Sequence, residues 1–115
     1  MNDSILESIK IILGVDPQYE AFDSEIIMAI NSALMALTQL GLGPQDGFLI
    51  QDKWTTWSDI LKQRQDLESV RSYVGVKARM LFDPPTNSYI MQALNNAATE
   101  LEWRIRTQLE EVANV

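Results

Sequence analysis

The sequence predicts an all-α fold, a small bundle of about five helices with one long loop (about 42–53) and a long C-terminal helix. Three observations carry this expectation. Apolar residues recur at steps of three and four throughout the chain, the spacing that lines one face of a helix. These stripes are bounded by residues that start and stop helices, such as Ser4, Asp23, Gly14 and Gly41. Finally, Leu81-Phe82-Asp83-Pro84-Pro85 ends one amphipathic stretch just before another begins. Proline lacks an amide donor, clashes with the preceding turn, and pushes the residue before it toward extended geometry. Phe82-Asp83-Pro84-Pro85 therefore reads as a helix-to-helix corner.

The first helix carries Ile5, Leu6, Ile9, Ile12 and Leu13, opened by Asp3 or Ser4 and closed by Gly14. Asp16-Pro17 begins a turn. Asp23 is the N-cap expected for the second helix, with Phe22 and Ile27 placed for a hydrophobic staple across it. That helix buries Ile26, Ile27, Ile30, Ala33, Leu34, Leu37 and Leu40, and Gly41 supplies the left-handed residue that ends it. The segment between Gly41 and Trp54 is irregular. Gly43-Pro44 and Asp46-Gly47 are turn signals, and Phe48 to Ile50 suits either an extended piece or a tucked loop. A loop this long in a compact domain is often functional. Thr55 to Lys62 form a short helix with Trp57, Ile60 and Leu61. Asp66 caps a longer one whose stripe is Leu67, Val70, Val74, Ala78 and Leu81. After the proline corner, Thr86, Asn87 and Ser88 can cap the longest helix, residues 87–112. Its stripe is Ile90, Leu94, Ala97, Leu101, Ile105, Leu109 and Val112.

The 115 residues read as one domain, residues 1–115, large enough to bury a core without staples. The apolar share of 46% argues against disorder, and no repeat or linker marks an internal boundary. The chain has no cysteine, which excludes disulfides, thiolate metal sites and thiol catalysis and fits a reducing cytosol. It has no histidine, the commonest general base and metal ligand. Met1-Asn2-Asp3-Ser4 carries no basic leader, and the run Ile9 to Leu13 is broken by Lys10 and too short for a membrane span. The expectation is a protein that is soluble and intracellular when made.

The formal charge of −7 lies entirely in the first half, where Lys10 stands alone among the acids up to Asp52. This is either a solvated acidic surface or a face that meets a basic partner or repels DNA. It argues against a protein that grips phosphates, which needs clustered Lys and Arg. Lys62, Arg64, Arg71, Lys77 and Arg79 form the densest basic group, but Asp59, Asp66, Glu68 and Asp83 nearly cancel it. Trp54 and Trp57 would share a helix face, as a core anchor beside Leu61 or as an interface pair. Trp103 lies off its helix's stripe, which raises two-sided or intersubunit burial. Around it, Glu100 with Arg104 and Glu102 with Arg106 stand at the favourable spacing of four, as a solvated face or a seam between copies. The adjacent Glu110 and Glu111 point about 100° apart on a helix and cannot share a substrate atom. No phosphate loop, metal-ligand spacing or nucleophile elbow occurs, so neither an enzyme nor a cofactor is expected.

Five segments carry a resemblance: Ser24-Glu25-Ile26-Ile27-Met28-Ala29-Ile30-Asn31-Ser32-Ala33-Leu34, Leu37-Thr38-Gln39-Leu40-Gly41-Leu42-Gly43-Pro44, Trp57-Ser58-Asp59-Ile60-Leu61, Glu68-Ser69-Val70-Arg71-Ser72-Tyr73-Val74 and Arg79-Met80-Leu81-Phe82-Asp83-Pro84-Pro85. In that order the chain, from about Asp23 to about Arg104, resembles the small all-helical head–tail connector (adaptor) proteins of long-tailed bacteriophages. The resemblance implies a virion structural protein, made in the host cytoplasm, that forms a ring of about a dozen copies beneath the portal. It would extend the DNA channel and join the capsid to a downstream connector or tail-completion protein. DNA would pass without specific binding, and no membrane is involved. The first helix and the end of the last, outside the best-matching region, are the expected seat of partner specificity.

On this reading Asp46, Phe48 and Asp52 form the candidate channel or partner loop, and Trp103, Arg104, Arg106 and Glu110 the candidate intersubunit or portal contacts. The acidic half would supply part of the channel wall, and changing Asp46 and Asp52 to Lys would leave folding nearly untouched. The isolated chain is expected as a monomer or weak oligomer. Leu81→Ala or Val74→Ala would each cost roughly 2–4 kcal/mol through lost burial. The competing reading is a helical regulatory or adaptor domain mediating protein–protein interaction in a cellular complex. A helix-turn-helix DNA binder, which the charge balance disfavours, comes third.

Overall fold

The computed structural model describes residues 4–42, 47–61 and 68–113. Asp3, Gly43-Pro44, Asp46, Lys62, Arg64, Asp66 and Leu67 lie outside the described residues, as do the side chains of Glu111 and Val112. Five helices follow in chain order: α1 (Ile5–Leu13), α2 (Asp23–Gln39), α3 (Trp57–Leu61), α4 (Ser69–Phe82) and α5 (Ser88–Ala113). The fold is a small all-α bundle, and among the described residues there is no strand, only an isolated antiparallel bridge between Ser4 and Thr56. Helix α4 is the hub. It packs on α1, α2 and α5 and buries Val70, Tyr73, Val74, Gly75 and Ala78, while α1 also packs on α2. At Gly75 α1 approaches closely, since a Cβ there would meet Ile12 Cδ1 at 3.1 Å.

The helix ends follow local chemistry. The Ser4 hydroxyl accepts from the Glu7 N–H at 3.3 Å, and Gly14, at φ 80°, closes α1. At the end of α2, Gly41 takes φ 106°, its N–H reaches Thr38 O at 3.0 Å, and the Leu42 N–H reaches Leu37 O at 3.1 Å. These are the paired bonds of a Schellman ending. Thr56 and Asp59 cap α3 reciprocally: the Asp59 N–H donates to Thr56 Oγ1 (3.2 Å) and the Thr56 N–H to Asp59 Oδ2 (2.9 Å). Of the three candidates ahead of α5, Asn87 is the cap, accepting from the N–H groups of Tyr89 (2.8 Å) and Ile90 (3.3 Å).

Several expectations are corrected. Asp23 is the first residue of α2 and makes no side-chain cap, because its carboxylate is drawn to Lys10 instead. Trp54 and Trp57 do not share a helix face. Trp57 is buried, with its Nε1–H donating to Ser8 Oγ at 3.1 Å, whereas Trp54 precedes α3 in a turn and is exposed. Ile12, Leu81 and Ile90 were expected in the core, yet all three are half or more exposed.

For Ile90 the cause is a mismatch in reach, whereas Leu81, still alongside α5, faces a gap between α4 and the start of α2. The Tyr73 hydroxyl donates to Glu102 Oε1 (2.8 Å) and the Ser69 hydroxyl to Gln108 Oε1 (3.3 Å), so α4 and α5 run antiparallel. From Tyr73, α4 continues nine residues to Phe82, while from Glu102, α5 extends back fourteen to Ser88. The difference of five residues carries the start of α5 about 7 Å past the end of α4. The corner climbs that step, and Ile90, on the overhang of α5, has no part of α4 to cover it.

Candidate functional site

The described residues hold no cluster of three or more Asp, Glu, His or Cys side chains able to bind a metal ion. None of their helices is long and apolar enough to cross a membrane. What the surface offers is docking chemistry at three places.

The first is a groove of about 730 Å³ between the start of α2 and the end of α4. Phe22, Glu25, Met28, Ala29 and Ser32 line it from one side, and Leu81, Phe82 and Asp83 from the other. An edge-to-face row of rings stiffens one end, with Tyr19 and Phe22 centred 5.5 Å apart and Phe22 and Phe82 5.6 Å apart. Met28 is 70% exposed and Leu81 55%, unusual for large apolar side chains side by side. Glu25 and Asp83 set carboxylates at this apolar groove. The Arg79 guanidinium beside the corner donates to Asp83 O at 2.9 Å and stands 4.0 Å from the Asp83 carboxylate.

The second is the outer face of α5. Ala98 and Ile105 are buried, and Glu102 and Gln108 bond to α4, so these residues mark the inner face. Trp103 is two residues from Ile105, about 200° around the helix, and is 65% exposed. Arg104, Arg106 and Glu110 are exposed with it. Arg104 Nη2 donates to Glu100 Oε1 at 2.6 Å, as the spacing of four suggested. Glu102, the expected partner of Arg106, instead accepts from Tyr73. Burial, together with the hydrogen bond and charge of Glu102, pushes the Tyr73 hydroxyl well above the usual tyrosine range. It stays protonated and keeps donating.

The third is the loop before α3. Ile50 is buried there, its N–H donating to Asn31 Oδ1 at 2.8 Å and its carbonyl accepting from Asn31 Nδ2 at 3.0 Å. This clamp tucks the loop onto α2. Phe48 is half-buried against the core, and Leu49 is exposed. Asp52 is exposed, but its Oδ1 accepts from the Trp54 N–H at 2.9 Å, so replacing it by Lys removes a turn-fixing bond and is not free of consequence for folding. Trp54 stands 74% exposed, with Lys53 Nζ 5.0 Å from its ring centre. Asp46 lies outside the described residues.

The structure thus brings Trp103, Arg104, Arg106 and Glu110 onto one exposed stretch of helix, and sets Phe48 and Asp52 on a different part of the molecule. Sequence reasoning did not find the groove. A signal was available: Met28, Ser32 and Met35 follow at steps of four and three on α2, off the buried stripe, and mark a second semi-apolar face. Nor did it find the buried ion pair, Lys10 Nζ with Asp23 Oδ1 at 2.7 Å, whose only hint was a lone Lys inside an apolar stripe.

A family model described as phage connector protein matches residues 5–112. No curated protein and no solved structure matches the chain. The family match takes in all of α1 and nearly all of α5, beyond the span on which the sequence resemblance rested. The chain belongs to the phage connector protein family.

Proposed function

We propose that this protein is a head–tail connector that assembles as a ring beneath the portal, extends the DNA channel and joins the capsid to the tail. The observation that carries the reading is the connector-family match across residues 5–112. The surface supports it. Met28 with Leu81 at one groove, and Tyr89, Trp54 and Trp103 elsewhere, are large apolar side chains standing well outside the core, as a subunit with several neighbours would need. A closed ring follows if each subunit meets the next head-to-tail through a rotation that closes, with about a dozen copies if it matches portal symmetry. Portal protein on one side and a downstream connector or tail-completion protein on the other are the partners.

The excess acid of the first half suits a channel that DNA must slide through, because carboxylates repel the duplex whereas Lys or Arg would form salt-dependent phosphate contacts. Asp52, exposed on its loop, is one described residue that would contribute. The test is negative-stain imaging of the protein mixed with its portal. Ring-shaped density stacked on the portal is the expected result. A protein that neither binds portal nor forms rings would overturn the reading.

A further inference from the structure

We propose that the groove between the start of α2 and the end of α4 receives Trp103 of a second copy of this chain. The inference rests on the ring reading above and says which two surfaces of neighbouring subunits meet. The groove asks for a large apolar side chain, since its exposed lining includes Met28, Leu81 and Phe22 and its volume is about 730 Å³. No Lys or Arg lines it, while Glu25 and Asp83 do. Two grooves facing one another would therefore set carboxylate against carboxylate, and a symmetric groove-to-groove dimer is disfavoured. The complement called for is apolar, with a basic group beside it to meet Glu25, since Asp83 already has Arg79 at 4.0 Å.

Trp103 meets that description. It is centred on the outer face of α5, exposed; Arg104 and Glu100 beside it pair with each other at 2.6 Å, and Arg106 has no ion-pair partner among the described residues. The other exposed tryptophan, Trp54, already has Lys53 over its ring. Trp103 cannot serve its own groove. It faces away from α4, and it lies fifteen residues, about 22 Å, along α5 from Ser88 at the corner. A patch and its complement set apart on one molecule make a head-to-tail contact, which propagates from copy to copy until rotation closes the ring. An indole of this kind brings about 150–250 Å² of surface to the contact.

The test uses two variants of the full chain at exposed positions, Leu81→Asp to spoil the groove and Trp103→Ala to remove its occupant, each shown by circular dichroism to keep its helicity. Met28→Asp replaces Leu81→Asp if the latter misfolds. By sedimentation velocity at high concentration, the parent chain should build beyond a dimer. Each variant alone should associate at least ~10-fold more weakly than the parent, a loss of about 1.4 kcal/mol. Their mixture should recover a dimer and stop there, because it holds one good groove and one good Trp103. Arg106→Glu should weaken assembly, and Glu25→Arg in the same chain should restore it. A parent that assembles while Trp103→Ala has no effect, or variants whose mixture stays monomeric, would overturn the pairing and leave the ring reading standing. A parent that assembles neither alone nor on portal would remove both.

Discussion

Two corners of this chain are written in similar letters, Asp16-Pro17 between α1 and α2 and Asp83-Pro84-Pro85 between α4 and α5, and they are held in opposite ways. At the first, Asp16 Oδ1 accepts from the Gln18 N–H at 2.9 Å and Asp16 O from the Tyr19 N–H at 2.9 Å. Beneath them Lys10, fully buried, donates to Pro17 O at 2.9 Å and Asp23 Oδ1 at 2.7 Å. At the second, Arg79 reaches Asp83 O and Asn87 caps α5, but these bonds are exposed and no buried charge ties the corner to the core. One corner is fixed from within by a charge that must stay satisfied. The other is fixed by proline stereochemistry, and leaves Leu81, Tyr89 and Ile90 in solvent. Phe22 from the first meets Phe82 from the second, so the groove has one anchored wall and one free wall. On the proposed pairing, the first corner serves folding and the second assembly.

The sharpest way to break this contrast is at Lys10. Asp23→Ala leaves a buried ammonium with a single carbonyl partner, and should cost about 3 kcal/mol, seen as a lowered urea midpoint. Lys10→Met removes the charge along with the need to satisfy it, replaces it with an apolar chain of similar length, and should cost clearly less. If the two substitutions cost the same, the ion pair is not what anchors the first corner.

The core side of the contrast was legible in the sequence and the assembly side only in part. Stripes such as Ile26, Ile30, Ala33, Leu34 and Leu37 are buried as their spacing implies, and Gly14, Gly41 and Asn87 end or begin helices for local reasons that a sequence displays. Leu81 and Ile90 obey the same periodicity and yet are exposed, because burial of Ile90 depended on how far α5 overshoots α4 and that of Leu81 on the gap left between α4 and α2, quantities no local pattern contains. Trp103 was marked by falling off its stripe. The groove was not, because it needs Met28 and Leu81, distant in sequence, to be brought together by the packing of α2 on α4.

A second comparison follows along α4 itself. Val74 is fully buried, and Val74→Ala should cost about 2 kcal/mol in lost burial and residual cavity. Leu81→Ala, two turns on and largely in water, should cost under about 1 kcal/mol, well below what its place in the stripe suggested. Chemical denaturation of both variants decides it, and equal losses would place Leu81 in the core after all.

Between the corners, Tyr73 gives the contrast a pH dependence. Its hydroxyl is held neutral in the folded chain above the pH at which an unfolded tyrosine ionises. Its contribution is therefore complete below about pH 10, and declines as pH rises further and the unfolded state alone releases the proton. Thermal melts from pH 8 upward should show the parent losing stability faster than Tyr73→Phe. Parallel slopes would mean that the Tyr73–Glu102 contact does not couple α4 to α5 in solution.

The smallest effect on stability, and the most telling for function, should come from the open corner. Replacing Pro84 and Pro85 together by Ala restores two amide donors and removes the ring that bars helical geometry at Asp83, now at φ −139° and ψ 67°. Few buried contacts change, so the unfolding free energy should fall by less than about 1 kcal/mol and helicity should hold or rise slightly. The path of the chain between α4 and α5 is what changes. A helix continued past Phe82 would re-route the corner and misplace the groove wall at Leu81, while α5 stays docked on α4 through Tyr73, Ala98 and Ile105. The double variant should therefore fold but fail to form rings, and fail to restore tail joining when supplied to a phage lacking the parent protein. If it restores joining in full, the proline pair only shapes a turn, and the distinction between an anchored corner and an assembling one does not hold.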